Sequence, residues 1–171
     1  MKAIRRNRVE ITLPTDTQIL ITREFDVPKE FVYEAWTNPE LIKRWWGGDR
    51  GVVTSAEVDL RVGGKWRYVM TANAGFEVAF HGEYREIIPN ERIVLTEVFE
   101  PMPDAAALST LSLEENNGGT IFRLLVEHQS QEYRDAQMNS GMEDGLQESM
   151  DHLADVASSL RGGSATTTTF T

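Results

Sequence analysis

The C-terminal part of the chain carries an apolar stripe that is typical of one long helix. Residues that recur at alternating steps of four and three lie on the same face of an α-helix. Ser140 and Glu143 form a capping-box pattern before the stripe, and Arg161 followed by Gly162 is typical of a helix end. We predict a helix over 141–161, which needs a broad apolar surface to pack on. The stripe consists of Met142, Leu146, Ser149, Leu153, Val156 and Leu160.

The preceding chain offers that surface as a series of strands. From residue 51 onward, runs rich in β-branched and aromatic residues alternate with Gly-, Pro- and Asn-rich turns, which is typical of an antiparallel sheet. The run from Gln18 to Phe25 predicts an earlier strand, and the alternation of Val9, Ile11 and Leu13 is compatible with a short strand before it. The later strands are expected near 51–59, 65–72, 76–87, 91–100, 106–115 and 119–128.

Two short helices are predicted between the first strand and the rest of the sheet. Asp26 is a suitable N-cap with Pro28 in the first turn, and Asn38 before a proline repeats this arrangement for a second helix. The Gly-Gly pair at 47–48 ends the second helix. A further short helical turn is expected after Ser130, between the last strand and the long helix.

Together these elements predict one α+β domain over 17–161, with an N-terminal extension over 1–16 and a disordered tail over 162–171. A sheet of about seven strands is too wide for a single helix about 10 Å across to cover. A strongly twisted sheet wrapped around the helix would leave a space between them, closed at one end by the two short helices. We expect this space to be the functional site.

Composition and motifs exclude several classes of function. A formal charge of −10 disfavours nucleic acid and membranes as partners, because binding phosphates needs a basic surface. The chain has no cysteine, and its three histidines do not follow a metal-ligand spacing, so we predict no metal and no cofactor. No phosphate loop, nucleophile elbow or metalloprotease motif occurs. No apolar run matches a membrane span or a signal core, and we expect a cytoplasmic protein.

Alternation along the strands predicts which side chains face the space. Glu97 and His128 fall in the inward phase among aromatic residues, where they are candidates for acid–base catalysis or for anchoring a polar ligand group. The alternative is that both lie at strand ends, solvated or paired with a neighbour such as Arg67. The predicted cavity residues are Trp45, Trp46, Trp66, Tyr68, Met70, Phe80, Tyr84, Leu95, Glu97, Phe99, Leu124, Val126, Met142, Gly145, Leu146 and Ser149.

Small residues on the long helix point to the same region. Gly145 and Ser149 stand where a packed helix would favour Leu or Met, and Gly inside a helix costs about 1 kcal/mol relative to Ala. We expect either room for something close by or the close approach of a strand. Trp45 and Trp46 either line the cavity mouth or fill the core, and their position before a Gly-Gly pair favours the mouth. The other two histidines are expected to lie on the surface.

Four segments carry a resemblance that covers most of the chain. They read ITREFDVPKEFVYEAWTNPELIKRWWGG at 21–48, DLRVGGKWRYVM at 59–70, FHGEYREIIPNERIVLTE at 80–97 and SGMEDGLQESMDHLADV at 140–156. In this order they resemble the START-like, or SRPBCC, superfamily, and within it the branch similar to the C-terminal domain of the activator of the heat-shock-protein-90 ATPase. The resemblance implies a helix-grip fold, in which a curved antiparallel sheet wraps around a C-terminal helix and encloses a deep cavity.

Three functions are compatible with these patterns. The first is binding of a small hydrophobic or aromatic molecule in the cavity, for transport, sequestration or sensing. The second is a polyketide cyclase-like or hydrolase-like enzyme that uses Glu97 or His128. The third, which the resemblance implies, is interaction with a chaperone or another protein. We expect the first, with no catalytic activity, and either a monomer or a homodimer.

Overall fold

The structure, a computed structural model, describes residues 8–168, with side chains up to residue 161. The strands in this part of the chain are β1 (Glu10–Thr12), β2 (Gln18–Phe25), β3 (Gly51–Val58), β4 (Lys65–Ala72), β5 (Glu77–Ile88), β6 (Arg92–Phe99), β7 (Ala107–Asn116) and β8 (Gly119–Glu127). The helices are α1 (Lys29–Thr37), α2 (Pro39–Trp45), α3 (Gln131–Met138) and α4 (Met142–Thr168).

All eight strands belong to one antiparallel sheet in the order β1-β2-β8-β7-β6-β5-β4-β3. This confirms the predicted α+β helix-grip architecture, with two short helices after the first long strand and one long C-terminal helix. The described residues form eight strands instead of about seven, because Glu10–Thr12 pairs with the segment from Leu20 to Thr22. β1 therefore places part of the expected N-terminal extension in the sheet.

The core lies where the later half of the described α4 side chains meets α1, α2 and the sheet. Leu153, Val156 and Ala157 are all buried, as are Val32 of α1 and Phe122 of β8. Full burial of a side chain such as Leu or Phe contributes about 1.5–3 kcal/mol. This half of α4 is therefore a structural anchor.

The corner formed by α1 and α2 is closed by two tryptophans. The indole Nε1 of Trp45 donates a hydrogen bond to the carbonyl oxygen of Ala35 at 2.8 Å. The ring of Trp45 stacks on Trp36 with 4.9 Å between centroids and 24° between planes. Trp45 is thus a core residue with one edge on the cavity, whereas its neighbour Trp46 is half-buried. The prediction that both tryptophans form the mouth is wrong for Trp45.

Arg23 is a charged side chain in the inward phase of β2 and is only 2% exposed. Its Nη1 lies 2.7 Å from Oδ1 of Asp151 on α4, and its guanidinium lies 4.9 Å from the ring centroid of Phe25. Asp151 is 54% exposed, so the buried member of the pair is Arg23, and removing Asp151 would leave its charge without a carboxylate partner, which is destabilising. This contact joins the first long strand of the sheet to the middle of α4.

Both ends of the long helix differ from the prediction. Gly141 has a φ of +80°, and the Ser140 hydroxyl donates to the Gln137 carbonyl at 2.6 Å, so it closes α3 and forms no capping box with Glu143. The helix continues beyond Arg161 to Thr168, so the backbone is helical where an irregular tail was expected. Residues 1–7 and 169–171 of the two predicted terminal segments lie outside the described residues. No helix within residues 8–168 has the length and apolar character needed to cross a membrane.

Candidate functional site

A cavity of about 670 Å³ lies between the inner face of the sheet and the first turns of α4. Its wall is a cluster of aromatic rings in contact with one another. Trp46 meets Tyr68 and Phe80 edge-on at centroid distances of 5.5 and 5.4 Å, and Trp66 lies 4.7 Å from Tyr68. Such pairs are the preferred aromatic geometry, so the rings hold the wall in place while their inner faces border the space.

Most of the predicted cavity residues line this space. Strand alternation explains why, since β4, β5, β6 and β8 each turn one face toward α4. Those that border the cavity are Trp45, Trp46, Trp66, Tyr68, Met70, Phe80, Leu95, Glu97, Leu124, Val126, Met142, Gly145, Leu146 and Ser149. Phe99 and His128 instead line a second, smaller cavity of about 390 Å³.

Tyr84 was predicted to line the cavity and borders neither of the two. It is 3% exposed and lies in the core. Two residues before it, a Cβ atom at Gly82 would lie 1.8 Å from the Thr96 carbonyl oxygen and 2.6 Å from the Trp66 Nε1, so these close approaches require glycine. Desolvation by burial raises the pKa of the phenols of Tyr84 and Tyr68.

The side chain of Arg50 lies against Gly145. A Cβ atom at Gly145 would lie 3.2 Å from the Arg50 Nε, and both residues border the cavity. The glycine therefore leaves room for the Arg50 side chain at the edge of the cavity. Gly47 has a φ of +85°, and a Cβ there would lie 2.3 Å from the Met70 Sδ, so the end of α2 packs tightly on β4.

Glu97 lies in the wall of both cavities. Desolvation by burial raises its carboxyl pKa from 4.5 to about 7. The expected alternative, a pairing with Arg67, does not occur, because Arg67 makes two hydrogen bonds to Glu100 at 2.8 and 3.0 Å. Among the described residues no hydrogen-bond donor contacts the Glu97 carboxyl group. The group is therefore free to bind or exchange a proton with a guest molecule at neutral pH.

His128 follows β8 and borders the smaller cavity. Its Nε2 is hydrogen-bonded to the side-chain oxygen of Gln137 on α3, while its buried Nδ1 has no partner among the described residues. An amide oxygen only accepts hydrogen bonds, so Nε2 carries the proton and Nδ1 is left as an acceptor. The Nδ1 atom of His128 is therefore a buried hydrogen-bond acceptor that receives no hydrogen bond from the described residues.

The other two histidines lie outside the cavities, as expected. His81 is exposed and shares Glu100 with Arg67, and hydrogen bonds from these two side chains lower the pKa of Glu100 to about 2. His152 lies on α4, where its Nε2 is 2.9 Å from the Asp49 Oδ1. No group of three or more His, Asp or Glu side chains among the described residues is placed to hold a metal ion.

Several cavity residues were not predicted from the sequence. Ser109 of β7 is 1% exposed, borders the larger cavity and has an Oγ without a partner in the described part of the chain. The sequence could have predicted this position, because Ser109 alternates with Leu111 and Leu113 and therefore lies on the same inward face of the strand. Arg50 and Gln137 lie outside the strands and carried no such signal.

The sequence and the fold match known proteins. A family model described as Activator of Hsp90 ATPase homolog 1-like protein matches residues 26–158. No protein of curated function matches the chain.

Three solved bacterial structures have the same fold. One from Rhodobacter sphaeroides is 25% identical, with a TM-score of 0.82 over 90% of this chain and 99% of that one. One from Nitrosomonas europaea is 22% identical, with a TM-score of 0.79 over 88% and 99% of the two chains. One from Chromobacterium violaceum is 27% identical, with a TM-score of 0.71 over 84% and 98%. The match of the family model to most of the sequence shows that this chain belongs to the Activator of Hsp90 ATPase homolog 1-like family, within the SRPBCC superfamily.

Proposed function

We propose that the protein binds a small hydrophobic or aromatic molecule in the larger cavity. The observation that carries this proposal is a volume of about 670 Å³ bordered by Trp46, Trp66, Tyr68 and Phe80. Ligand sites in proteins are typically concave, apolar spaces of about 300–1,000 Å³ with a few polar groups that orient the guest. A protein interior that served only stability would be packed without such a gap.

The first test is native mass spectrometry of the protein purified under mild conditions, followed by thermal unfolding with added ligands. A bound molecule of matching mass names the ligand class, and adding it raises the melting temperature by mass action. Gly145→Leu should abolish this shift, because the new side chain displaces Arg50 into the cavity edge. Ser158→Leu adds the same bulk on the exposed face of the helix and should leave the shift unchanged. Equal ligand shifts in both variants would contradict the proposal.

A second candidate is an enzyme in which Glu97 transfers a proton to or from a bound substrate. The observation that favours it is the carboxyl pKa of about 7, since a general acid or base works best when its pKa is near the operating pH. Substrate turnover that falls at least about a hundredfold in Glu97→Gln while binding persists would support this function. Turnover that is indifferent to the substitution would remove Glu97 from the reaction.

The family name raises a third candidate, an interaction with the chaperone Hsp90. Several large apolar side chains are exposed on or beside β3 and β4, namely Val52, Leu60, Val62 and Phe76. Exposed apolar groups of this kind are compatible with a protein partner when they form a continuous patch. The measurement is the ATPase rate of a purified Hsp90 with and without this protein, and an unchanged rate would remove this candidate.

A further inference from the structure

The two cavities meet at a shared wall. The larger one extends toward the mouth beside Arg50, and the smaller one lies beneath α3. A molecule that fills both spaces therefore passes Glu97, which borders each of them. The residues common to both cavities are Phe80, Glu97, Gln137, Ser140 and Met142.

Three polar groups from adjacent strands lie near this wall, since Glu97 borders both cavities, Ser109 borders the larger one and His128 borders the smaller one. Glu97 of β6 pairs with Ala107 of β7, and Ser109 stands two residues further along β7. Ser109 pairs with Val126 of β8, and His128 stands two residues beyond Val126. The Ser109 Oγ and His128 Nδ1 are buried without a partner, and no donor reaches the Glu97 carboxyl group within the described residues.

Packing alone does not account for this arrangement. A buried polar group without a hydrogen bond is destabilising, and native proteins satisfy the great majority of them. Alanine or leucine at these positions would fill the same inward phase at lower cost. The Ser109 Oγ and the His128 Nδ1 are two such atoms, and Glu97 is a half-buried carboxyl group without a hydrogen bond among the described residues. All three are explained if a bound molecule supplies the missing partners.

The chemistry of the three groups defines that partner. His128 Nδ1 accepts a hydrogen bond, the Ser109 hydroxyl both donates and accepts, and the Glu97 carboxyl group accepts when ionised and donates when protonated. The matching group on a ligand must therefore donate, and it gains a further hydrogen bond if it also accepts. Among the described residues, Arg50 is the one Lys or Arg side chain that borders the larger cavity, and none borders the smaller one. An anionic ligand therefore finds no cation at the wall, and a cationic ligand would need an ionised Glu97, which desolvation by burial disfavours.

We propose that the natural ligand is an uncharged molecule with a hydroxyl group between two apolar parts, and that Glu97, Ser109 and His128 bind this hydroxyl at the wall between the cavities. The inference rests on the proposed function, since it requires a guest in the larger cavity. It adds the ligand's polar group and the residues that recognise it.

The test compares four probes of one shape. Diphenylmethanol carries a hydroxyl between two phenyl rings, benzophenone carries an acceptor only, diphenylmethane carries neither, and aminodiphenylmethane is cationic at neutral pH. Binding of each probe to the full chain is followed by calorimetry and by tryptophan fluorescence, since all four tryptophans border the larger cavity. We expect diphenylmethanol to bind about tenfold more tightly than benzophenone or diphenylmethane, as two added hydrogen bonds would give.

Variants identify the groups responsible. Ser109→Ala and Glu97→Gln should each reduce the preference for diphenylmethanol over diphenylmethane severalfold. Ser112→Ala changes the same strand on its opposite face and should preserve the preference. Loss of the preference in Ser112→Ala to the same degree would overturn the assignment.

The outcomes separate this inference from the proposed function. Equal affinities for diphenylmethanol and diphenylmethane overturn the hydroxyl site and leave hydrophobic binding in place. Tightest binding of aminodiphenylmethane overturns the uncharged class. Failure of all four probes to bind overturns the proposed function and this inference together.

Discussion

Glu97 combines a position in the cavity wall with a carboxyl group that no described side chain stabilises by a hydrogen bond. Glu100, three residues later on the rim of the same sheet, has the opposite environment, because Arg67 and His81 both contact it. Desolvation raises the pKa of the first carboxyl, and hydrogen bonds lower that of the second. Two glutamates close in sequence therefore affect stability with opposite dependence on pH.

Glu97→Gln should remove a pH-dependent loss of stability. The folded pKa is about 7 and the reference value is 4.5, so the folded state binds more protons between these values. The contribution of Glu97 to the free energy of unfolding is therefore fully present below pH 4.5 and is lost as pH rises through 7. Above pH 7 the variant should be more stable than the parent by up to about 3 kcal/mol. Urea unfolding between pH 5 and pH 8.5 measures this difference, and parallel curves for the two proteins would contradict it.

Glu100→Gln is the control with the opposite sign. The folded pKa of Glu100 is about 2, so its contribution is present above pH 4.5 and is lost as pH falls toward 2. The variant should be less stable than the parent at neutral pH, and the two should converge in acid.

Ser109→Ala should stabilise the protein in the absence of ligand. The hydroxyl is buried without a partner, and its removal relieves a desolvation cost of about 1 kcal/mol. Thermal unfolding compares it with Ser112→Ala, which faces the other side of β7 and should change stability by less than about 0.5 kcal/mol. A Ser109→Ala variant that is clearly less stable than the parent would show that the hydroxyl has a structural partner.

The two halves of α4 have different roles although one apolar stripe runs through both. Met142, Leu146 and Ser149 border the cavity, whereas Leu153 and Val156 are buried in the core. The spacing of the stripe predicts the helix and its buried face, but it cannot distinguish a residue that touches a packed neighbour from one that borders a gap. That distinction depends on how far the sheet curves away from the helix.

Shortening a leucine to alanine in each half of α4 should change the free energy of unfolding by different amounts. Leu153→Ala removes a fully buried side chain from a packed site and should cost about 2–5 kcal/mol. Leu146→Ala enlarges a space that already exists and should cost less than about 2 kcal/mol, since fewer contacts are lost. Urea unfolding of both variants measures the losses. Equal losses would mean that Leu146 is packed as tightly as Leu153 and that the cavity is closed in solution.

The connection between α2 and β3 is joined to α4 beside the mouth of the cavity. The Asp49 carboxyl lies 2.9 Å from His152, and the Asp49 amide donates to Glu148 at 3.3 Å. Arg50 adds a contact to the same Glu148 carboxyl at 3.7 Å. These residues are about a hundred positions apart in sequence, so only the assembled fold brings them together at the entrance.

Glu148→Ala should accelerate ligand release with little effect on stability. It removes two of these contacts, and exposed pairs of this kind contribute up to about 1 kcal/mol. If the contacts restrain the mouth, dissociation of bound diphenylmethanol should become about fivefold faster. Stopped-flow tryptophan fluorescence measures the rate. Glu143→Ala, at an exposed position of the same helix, is the control. Equal dissociation rates in the two variants would show that the Glu148 contacts do not restrain the mouth.

Local patterns were sufficient to predict the secondary structure. Alternation placed β2 to β8 within about two residues of their observed positions, because each strand has one buried and one exposed face. The helix signals were less reliable at their ends, since Ser140 caps through α3 and the backbone stays helical past Gly162. A capping pattern is local in sequence, and it did not show that the Ser140 hydroxyl would bind the end of α3 and not the start of α4.

Across the whole molecule, periodicity and composition established the α+β class, the order of the elements, the inward face of most strands and the absence of a catalytic motif. The size of the gap, the position of Arg50 beside Gly145 and the three unpartnered groups at Glu97, Ser109 and His128 were decided only by the tertiary structure. The physical reason is that a sequence pattern shows which way a side chain points. Whether that side chain finds a partner depends on atoms from strands and helices far away in the chain.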